Sequence, residues 1–500
     1  MNPTKEATVS QILNLIESKR ESIVSDTAQL LSFKTISSTE GELSADAREE
    51  FRKGFDFLRQ ISENMGFTFR LLDNCVGIIE MPASANPAET IGVLLHIDVM
   101  PPGETEWKYG AFDGVVAEGR IWGRGAQDDK GPIVAMLYAM WAAREAAAQN
   151  GIRRACRLII GTQEETGNWS DIHYYKEHEG APNFSLVPDA EFPIIIAEKG
   201  MVNIQISEAW DEKPTSTLIA ASLVSATAGI RANMVPDRAT LVLEPLSDST
   251  RRLLNDEIAQ FLQKYPETRL QVIDKDTTIV IEFSGKPAHG SRPFEGHNAA
   301  VDALRFIDWV EMEPLQFLEF ISFSALAGED IWGEALGVFS EHDFVGKTTV
   351  CLGLMKIEAR GGFVTYNIRN TSGVTVDMIE KRINGVLESI KQATGCAFEM
   401  KRTSSGTNPL FVDPKEFKQY IEPLQYAYQT VTGKEPALKA IGGTTFAKAF
   451  PCAVSFGPVL MEEEQEMAHQ VNEHVSIENQ MRNTKIYALA LWGLISTDKS

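Results

Sequence analysis

Between about residue 8 and residue 200, stretches with apolar positions at helical spacing (9–33, 47–65 and 130–149) alternate with short, nearly uninterrupted apolar runs (76–81, 91–97, 157–161 and 184–188). A helix with one apolar stripe must lay it against something, and a strand apolar on both faces must be covered on both. The alternation therefore predicts an α/β fold, a doubly wound, mostly parallel sheet with helices on its faces. Several runs end in chemically capable residues: IGVLLHID (91–98), LIIGTQEETG (158–167) and VPDAEFP (187–193). Two further segments, GRGAQDDKG (123–131) and MAHQVNE (467–473), add to them. The carboxyl ends of strands are where open α/β sheets bind ligands. Among their residues are two histidines, three acidic groups and a spare glutamate that would make a set suited to two divalent metals and a general base.

Near residue 201 the texture changes to paired strand-like runs, long connections and two helical stretches, 248–264 and 374–393. The middle, 201–404, is expected to be a separate α+β unit. It contains two segments of similar layout, 221–245 and 348–370, each followed by a helix, so the unit is either two related subdomains or a chance likeness of common motifs. Past 405 a helix (414–432), the Gly-rich AIGGTTFAKA, the run CAVSFGP and a terminal helix (476–496) return to the first texture. Residues 1–200 and 405–500 are thus expected to form one catalytic domain into which the middle is inserted.

Five hundred residues, 43% of them apolar, exceed what one core usually organises and can fill two. A formal net charge of -22 repels phosphate backbones and anionic lipid, so neither nucleic acid nor a membrane is an expected partner, and a small substrate is. The five cysteines, Cys75, Cys156, Cys351, Cys396 and Cys452, are odd in number and lack C-x-x-C spacing, which argues against a disulfide framework or a thiolate zinc site. The N-terminus interleaves charges with its apolar positions, unlike a signal peptide, and no stretch approaches the roughly 20 apolar residues that cross a bilayer. A soluble, cytoplasmic protein is expected.

His96 and Asp98 are two residues apart, so in an extended strand both would project to one face, and Asp98 could accept the second ring N–H of His96. A hydrogen-bonded structural histidine is the bland alternative. Asp128 and Asp129 stand before a helix starting near Pro132, where capping competes with ligation. Glu164 and Glu165 follow a buried run; neighbours on a strand point oppositely, so one could bind metal while the other faces substrate water. Asp189 lies among Val187, Pro188, Phe192 and Pro193, and a lone buried carboxylate is costly unless paired or metal-bound. His469 follows an acidic loop and is one of only eight histidines, which makes its place beside the C-terminal sheet signals notable.

Seven blocks, HIDVMPPG, GRGAQDDKGP, GTQEETG, VPDAEFPIIIAEKG, RANMVPD, KPAHGSRP and MAHQVNE, span most of the chain in order. They resemble the co-catalytic dinuclear-zinc peptidase and aminoacylase family that includes carnosinases, most closely its bacterial Xaa-His or β-alanyl dipeptidases of the dipeptidase V type. The resemblance implies two divalent ions per chain, zinc first and manganese or cobalt next. His96 and Asp189 would hold one ion and Glu165 and His469 the other, with Asp128 bridging them beside a cis peptide to Asp129. Glu164 would be the general base, supported catalytically by Asp98 behind His96. Three carboxylate ligands against two dications leave one positive charge, which favours a bridging hydroxide that attacks the peptide carbonyl. His289 corresponds to an oxyanion-stabilising histidine of an inserted lid domain, and Asn233, Arg369, Gly442 and Gly443 to groups that cradle the substrate carboxylate.

The implied activity is hydrolysis of unblocked dipeptides or short peptides by a monomer. An N-acyl amino-acid deacylase on the same fold is the alternative, and a non-catalytic metal- or peptide-binding protein the second. Retention of every ligand, the base and the oxyanion histidine speaks against the last, and a middle of about 200 residues favours the dipeptidase branch with its enlarged lid. Three departures bear on substrate preference. Gln163 replaces the family's usual Asp before the Glu pair, NIRNTSG replaces the usual IRYP around Arg369, and Arg292 and His297 lie near His289 where the branch has smaller or neutral residues.

Overall fold

The computed structural model describes residues 3–37, 44–83, 89–147, 151–275 and 277–496. They form two compact units: Met1–Ala197 with Leu410–Ala440 and Thr445–Ser500, and Glu198–Pro409 with Ile441–Thr444. The second unit thus also takes four residues of the Gly-rich segment, a return that no change of composition marks.

The first unit is built on a nine-stranded sheet. Its strands run in the order Thr68–Leu72, Val76–Met81, Ala155–Gly161, Thr90–His96, Phe184–Val187, Ala453–Ser455, Ile194–Glu198 and Leu410–Phe411, with Leu438–Ile441 also on Ile194–Glu198. The expectation of a mostly parallel sheet needs correction, because the sheet is mixed. Ala155–Gly161, Thr90–His96, Phe184–Val187 and Ala453–Ser455 are mutually parallel, whereas Thr68–Leu72, Val76–Met81 and Ile194–Glu198 join antiparallel. The reason is partly local: Thr68–Leu72 and Val76–Met81 are joined by a tight turn with Asp73 and Asn74 at positive φ, which returns the chain beside itself. Helices cover both faces. A side chain at Gly77 would strike Phe55 of helix Ala45–Asn64, while Arg157, on the side of the sheet shared by its partner Glu80, donates to Tyr175 of helix Ser170–Glu179. Helix Lys130–Ala147 is buried along most of its length, as its Ala, Met and Leu content allows, and packs on the terminal helix Ile477–Ser496. The single N-terminal helix expected over 9–33 is two, Pro3–Ser18 and Arg20–Leu31.

The second unit is one nine-stranded antiparallel sheet, ordered Arg269–Asp274, Ile279–Ser284, Arg238–Pro245, Ala221–Ala228, Thr349–Glu358, Gly361–Arg369, Val202–Ala209 and Glu399–Arg402, with Thr215–Ser216 on Ala221–Ala228. Its two central hairpins are the segments of similar layout. They lie side by side, each is followed by a helix (Thr250–Lys264 and Val376–Thr394), and each breaks register once on its first strand, at Leu223/Ser225 and Leu352/Leu354. Two further helices, Ala299–Trp309 and Leu315–Glu329, escaped the sequence reading. Leu315–Glu329 reads LQFLEFISFSALAGE, apolar on most sides, so it lacks the single stripe that marks a surface helix. No helix among the described residues is long and apolar enough to cross a membrane, and all five cysteines are free.

Candidate metal centre

Three of the four parallel strands of the first unit end at or just before predicted ligands, His96, Glu165 and Asp189, whereas Asp128 and His469 come from loops outside those strands. Thr90–His96 stops at His96, whose ring is fully buried. Because the strand ends there, Asp98 does not sit where a continued strand would put it. His96 Nδ1 lies 3.0 Å from the backbone carbonyl of Asp98 and 3.5 Å from its carboxylate. The Asp98 carboxylate also accepts the backbone N–H groups of Glu164 (3.3 Å) and Glu165 (3.1 Å). Strand Ala155–Gly161 likewise ends before the two glutamates, which occupy a turn closed by Gly167 N–H on the Glu164 carbonyl. The turn held by Asp98, not strand alternation, sends them apart. Asp171 supports the same loop by accepting the Gln163 N–H at 3.1 Å.

Donor atoms gather in two groups, each within 4.8 Å: His96, Glu164 and Asp189, and Asp128, Glu165 and His469. Asp128 lies between the histidines, with Oδ1 3.0 Å from His96 Nε2 and Oδ2 3.1 Å from His469 Nε2. His469 Nε2 is also 3.0 Å from Glu165 Oε2, and His96 Nε2 is 4.0 Å from Asp189 Oδ1. The Asp128–Asp129 peptide is cis. Asp129 is buried rather than a solvated cap, and it accepts the His96 backbone N–H at 3.1 Å.

Sequence reasoning missed the pair that joins the two loops. Arg124 Nη1 lies 2.7 Å from Glu473 Oε2, with both side chains almost wholly buried. Glu473 Oε1 accepts the Gln127 and Asp128 N–H groups at 2.9 and 3.3 Å, and Arg124 also reaches the carbonyls of Gln470 (3.2 Å) and His469 (3.4 Å). The loop carrying Asp128 is thereby tied to the loop carrying His469. Both residues stood inside quoted blocks, GRGAQDDKGP and MAHQVNE, and their opposite charges were the available signal.

The crowding of carboxylates around two histidines sets the electrostatics of the centre. Burial, followed by the Asp128 charge, pushes Asp189 up to about 6, and the same two causes push Glu473 up to about 7 despite Arg124. Burial and neighbouring Asp189 also drive Glu164 well above the carboxylate range. Asp128 and Glu165 hold His469 protonated up to about 11. Burial opposes charge on His96, but Asp128, Asp189 and Asp98 outweigh it. Its Nε2 is nevertheless a buried nitrogen without a well-formed hydrogen bond. Acids pushed upward by burial and by one another, histidines drafted as cations and an unsatisfied ring nitrogen fit a place for divalent cations.

The other predicted residues are brought together within the second unit. His289 Nδ1 is 2.7 Å from Ser291 Oγ and accepts the Ser291 backbone N–H at 3.3 Å, so the neutral ring carries its proton on Nε2. Burial and the charges of Arg369 and Arg292 lower the pKa of that ring. The Asn233 carbonyl accepts Gly290 N–H at 2.7 Å. Arg369, 3% exposed and lowered to about 10 by burial, donates from Nε to Asn367 Oδ1 (3.0 Å) and from Nη1 to the Gly442 carbonyl (2.7 Å). A Cβ at Gly442 would lie 2.8 Å from Ser291 Cβ, whereas at Gly443 the nearest contact, Ile441 Cδ1 at 3.6 Å, is ordinary.

A Bacillus subtilis (strain 168) protein provisionally named dipeptidase YtjP is 31% identical over 486 residues, covering 95% of this chain and 98% of its own. A Staphylococcus haemolyticus protein, also provisionally named a dipeptidase, is 30% identical over 453 residues, 89% of this chain and 90% of its own. Aminoacylhistidine dipeptidase from Vibrio alginolyticus shares the fold with a TM-score of 0.56 at 13% identity, covering 95% of this chain and 96% of its own. Human carnosine dipeptidase 1 does so with 0.55 at 14%, covering 98% and 99%. The pattern of Peptidase family M20/M25/M40 matches residues 92–492. The chain belongs to peptidase family M20/M25/M40 and is a metallopeptidase.

Proposed function

We propose that the protein is a dinuclear metallodipeptidase that hydrolyses the peptide bond of unblocked dipeptides or short peptides. The observation that carries this reading is the pair of abutting donor groups shared through Asp128, one carboxylate oxygen toward each histidine. His96 and Asp189 would hold one divalent ion, Glu165 and His469 the other, and Asp128 both, with zinc first and manganese or cobalt next. Bound ions would lower the pKa of a coordinated water and polarise the scissile carbonyl.

The chain's own groups do the rest. Asp98 fixes the turn that presents Glu164, which takes the proton of the attacking water and returns it to the leaving amine. His289, with its proton on Nε2, is assigned to the developing oxyanion, consistent with a ring kept neutral. Arg369, Gly442 and Gly443 with Asn233 are assigned to the substrate carboxylate. The second unit is proposed to act as an inserted lid, its paired hairpins being related subdomains, and the enzyme to work as a cytoplasmic monomer.

The test is release of free amino acids from β-alanyl and L,L dipeptides compared with N-acetyl and N-succinyl amino acids, with and without chelator. Dipeptide turnover abolished by chelator and restored by zinc, manganese or cobalt is expected. Turnover of N-acyl amino acids alone would replace this reading with the deacylase.

A further inference from the structure

The loop 286–297, KPAHGSRPFEGH, has an exposed tip and a closed neck. At the neck, Lys286 N–H donates to the His297 carbonyl at 2.8 Å and His297 N–H returns a bond to Lys286 at 2.9 Å. Gly285, just before it, has no space for a side chain, since a Cβ would lie 2.2 Å from the His297 carbonyl oxygen. The loop rests on Asn233–Asp237 through backbone bonds: Val235 N–H to Ala288 (2.9 Å), Gly290 N–H to Asn233 (2.7 Å) and Gly285 N–H to Asp237 (2.8 Å). Lys286, Pro287, His289, Arg292, Phe294 and Glu295 are exposed, and side chains anchor the tip at few points: Pro293 is buried, Phe294 stacks on Trp332 with ring centroids 5.9 Å apart, and Thr349 Oγ1 donates to the Ser291 carbonyl at 3.3 Å. A side-chain bond ties the neck to the body of the unit: His297 Nε2 is 2.7 Å from Asp302 Oδ2. Asp302 stands in the first turn of helix Ala299–Trp309 with its side chain 1% exposed, and Arg305 lies 3.6 Å from its other oxygen.

We infer that His297 is a positioning residue: its bond to Asp302 fixes the neck of the loop and so the place of His289. The inference rests on the oxyanion role proposed above for His289. It gives a use to a histidine near His289 that the reaction itself leaves idle. Displacing a group from its productive position by about 1 Å can cost up to roughly 100-fold in rate, and a loosened neck that samples the right position part of the time costs less, roughly tenfold.

The test compares His297→Ala, His297→Gln and Gly285→Ala as metal-loaded enzymes on a dipeptide, alone and with His289→Ala. His297→Ala is expected to lower kcat roughly tenfold with metal content and KM nearly unchanged, and to have no further effect once His289 is gone. His297→Gln, whose amide can still donate to Asp302, restores most of the rate. Gly285→Ala, which opens the neck from the backbone side, behaves like His297→Ala. Amide hydrogen exchange across 286–297 rises in the two Ala variants and not in the Gln variant. Full activity of His297→Ala, a loss that simply adds to that of His289→Ala, or unchanged exchange overturns the inference and leaves the role of His289 standing. If His289→Ala is itself fully active, both readings fall.

Discussion

Replacing Glu473 by Ala removes the acceptor for three donors at once: the Arg124 guanidinium at 2.7 Å and the backbone N–H groups of Gln127 at 2.9 Å and Asp128 at 3.3 Å. Arg124 and Glu473 have side chains 3% and 0% exposed, so water cannot readily replace the lost partner. Removing one member of such a pair costs about 3–5 kcal/mol, chiefly because the other charge stays buried. The two amides, each worth about 1–3 kcal/mol when left unpaired, overlap with that cost rather than add fully to it. A loss near the upper end, about 5 kcal/mol, is expected, a large part of the roughly 5–15 kcal/mol that holds a domain folded. The double variant Arg124→Met/Glu473→Leu removes both charges and leaves mainly the amides unpaired, so it should lose only about 2 kcal/mol. Urea unfolding of chelator-treated protein, followed by the fluorescence of the first unit's tryptophans, measures both. Since the pair ties the Asp128 loop to the His469 loop, metal affinity should also fall in the single variant. A Glu473→Ala loss under about 1 kcal/mol, or a double variant worse than the single, would refute the reasoning.

Other consequences are direct. Glu164→Gln should keep its metal and lower kcat by roughly 10²- to 10⁴-fold, whereas Glu165→Gln should lose metal, as elemental analysis beside kinetics will show. His289→Ala should slow turnover by roughly 10²- to 10³-fold without metal loss, measured on the same preparations. Gly442→Ala should press Ser291 and shift the Arg369 contact at a cost of about 1–3 kcal/mol, read as a rise in KM for peptides with a free carboxylate. Light scattering in solution should give the mass of one chain, and a dimer whose activity depends on mixing subunits would contradict the self-contained lid.

The first unit was legible where strands are buried on both faces. The runs ending at His96, Gly161 and Val187 are strands of the sheet, and the ligand-bearing segments follow them. What failed was geometry beyond those ends. The i, i+2 rule put the Asp98 carboxylate on the His96 ring; it lies 3.5 Å from Nδ1, but the strand has already stopped, so the Asp98 carbonyl comes nearer at 3.0 Å and the carboxylate also serves two backbone amides. Antiparallel flanks were missed because a buried flanking strand and a central parallel strand share one composition. Helix Leu315–Glu329 was missed because burial on most sides erases its period. The Arg124–Glu473 pair was missed because 349 residues separate its members and no local pattern couples them, their opposite charges within the quoted blocks being the one signal.

Metal titration of the chelator-stripped protein, with dipeptide hydrolysis and bound metal followed together, tests the central claim most directly. The two donor groups joined by Asp128 predict that activity rises until two equivalents of zinc, manganese or cobalt are bound per chain, and that Asp128→Ala retains fewer than two. Full activity in stripped protein holding less than one equivalent would contradict the account.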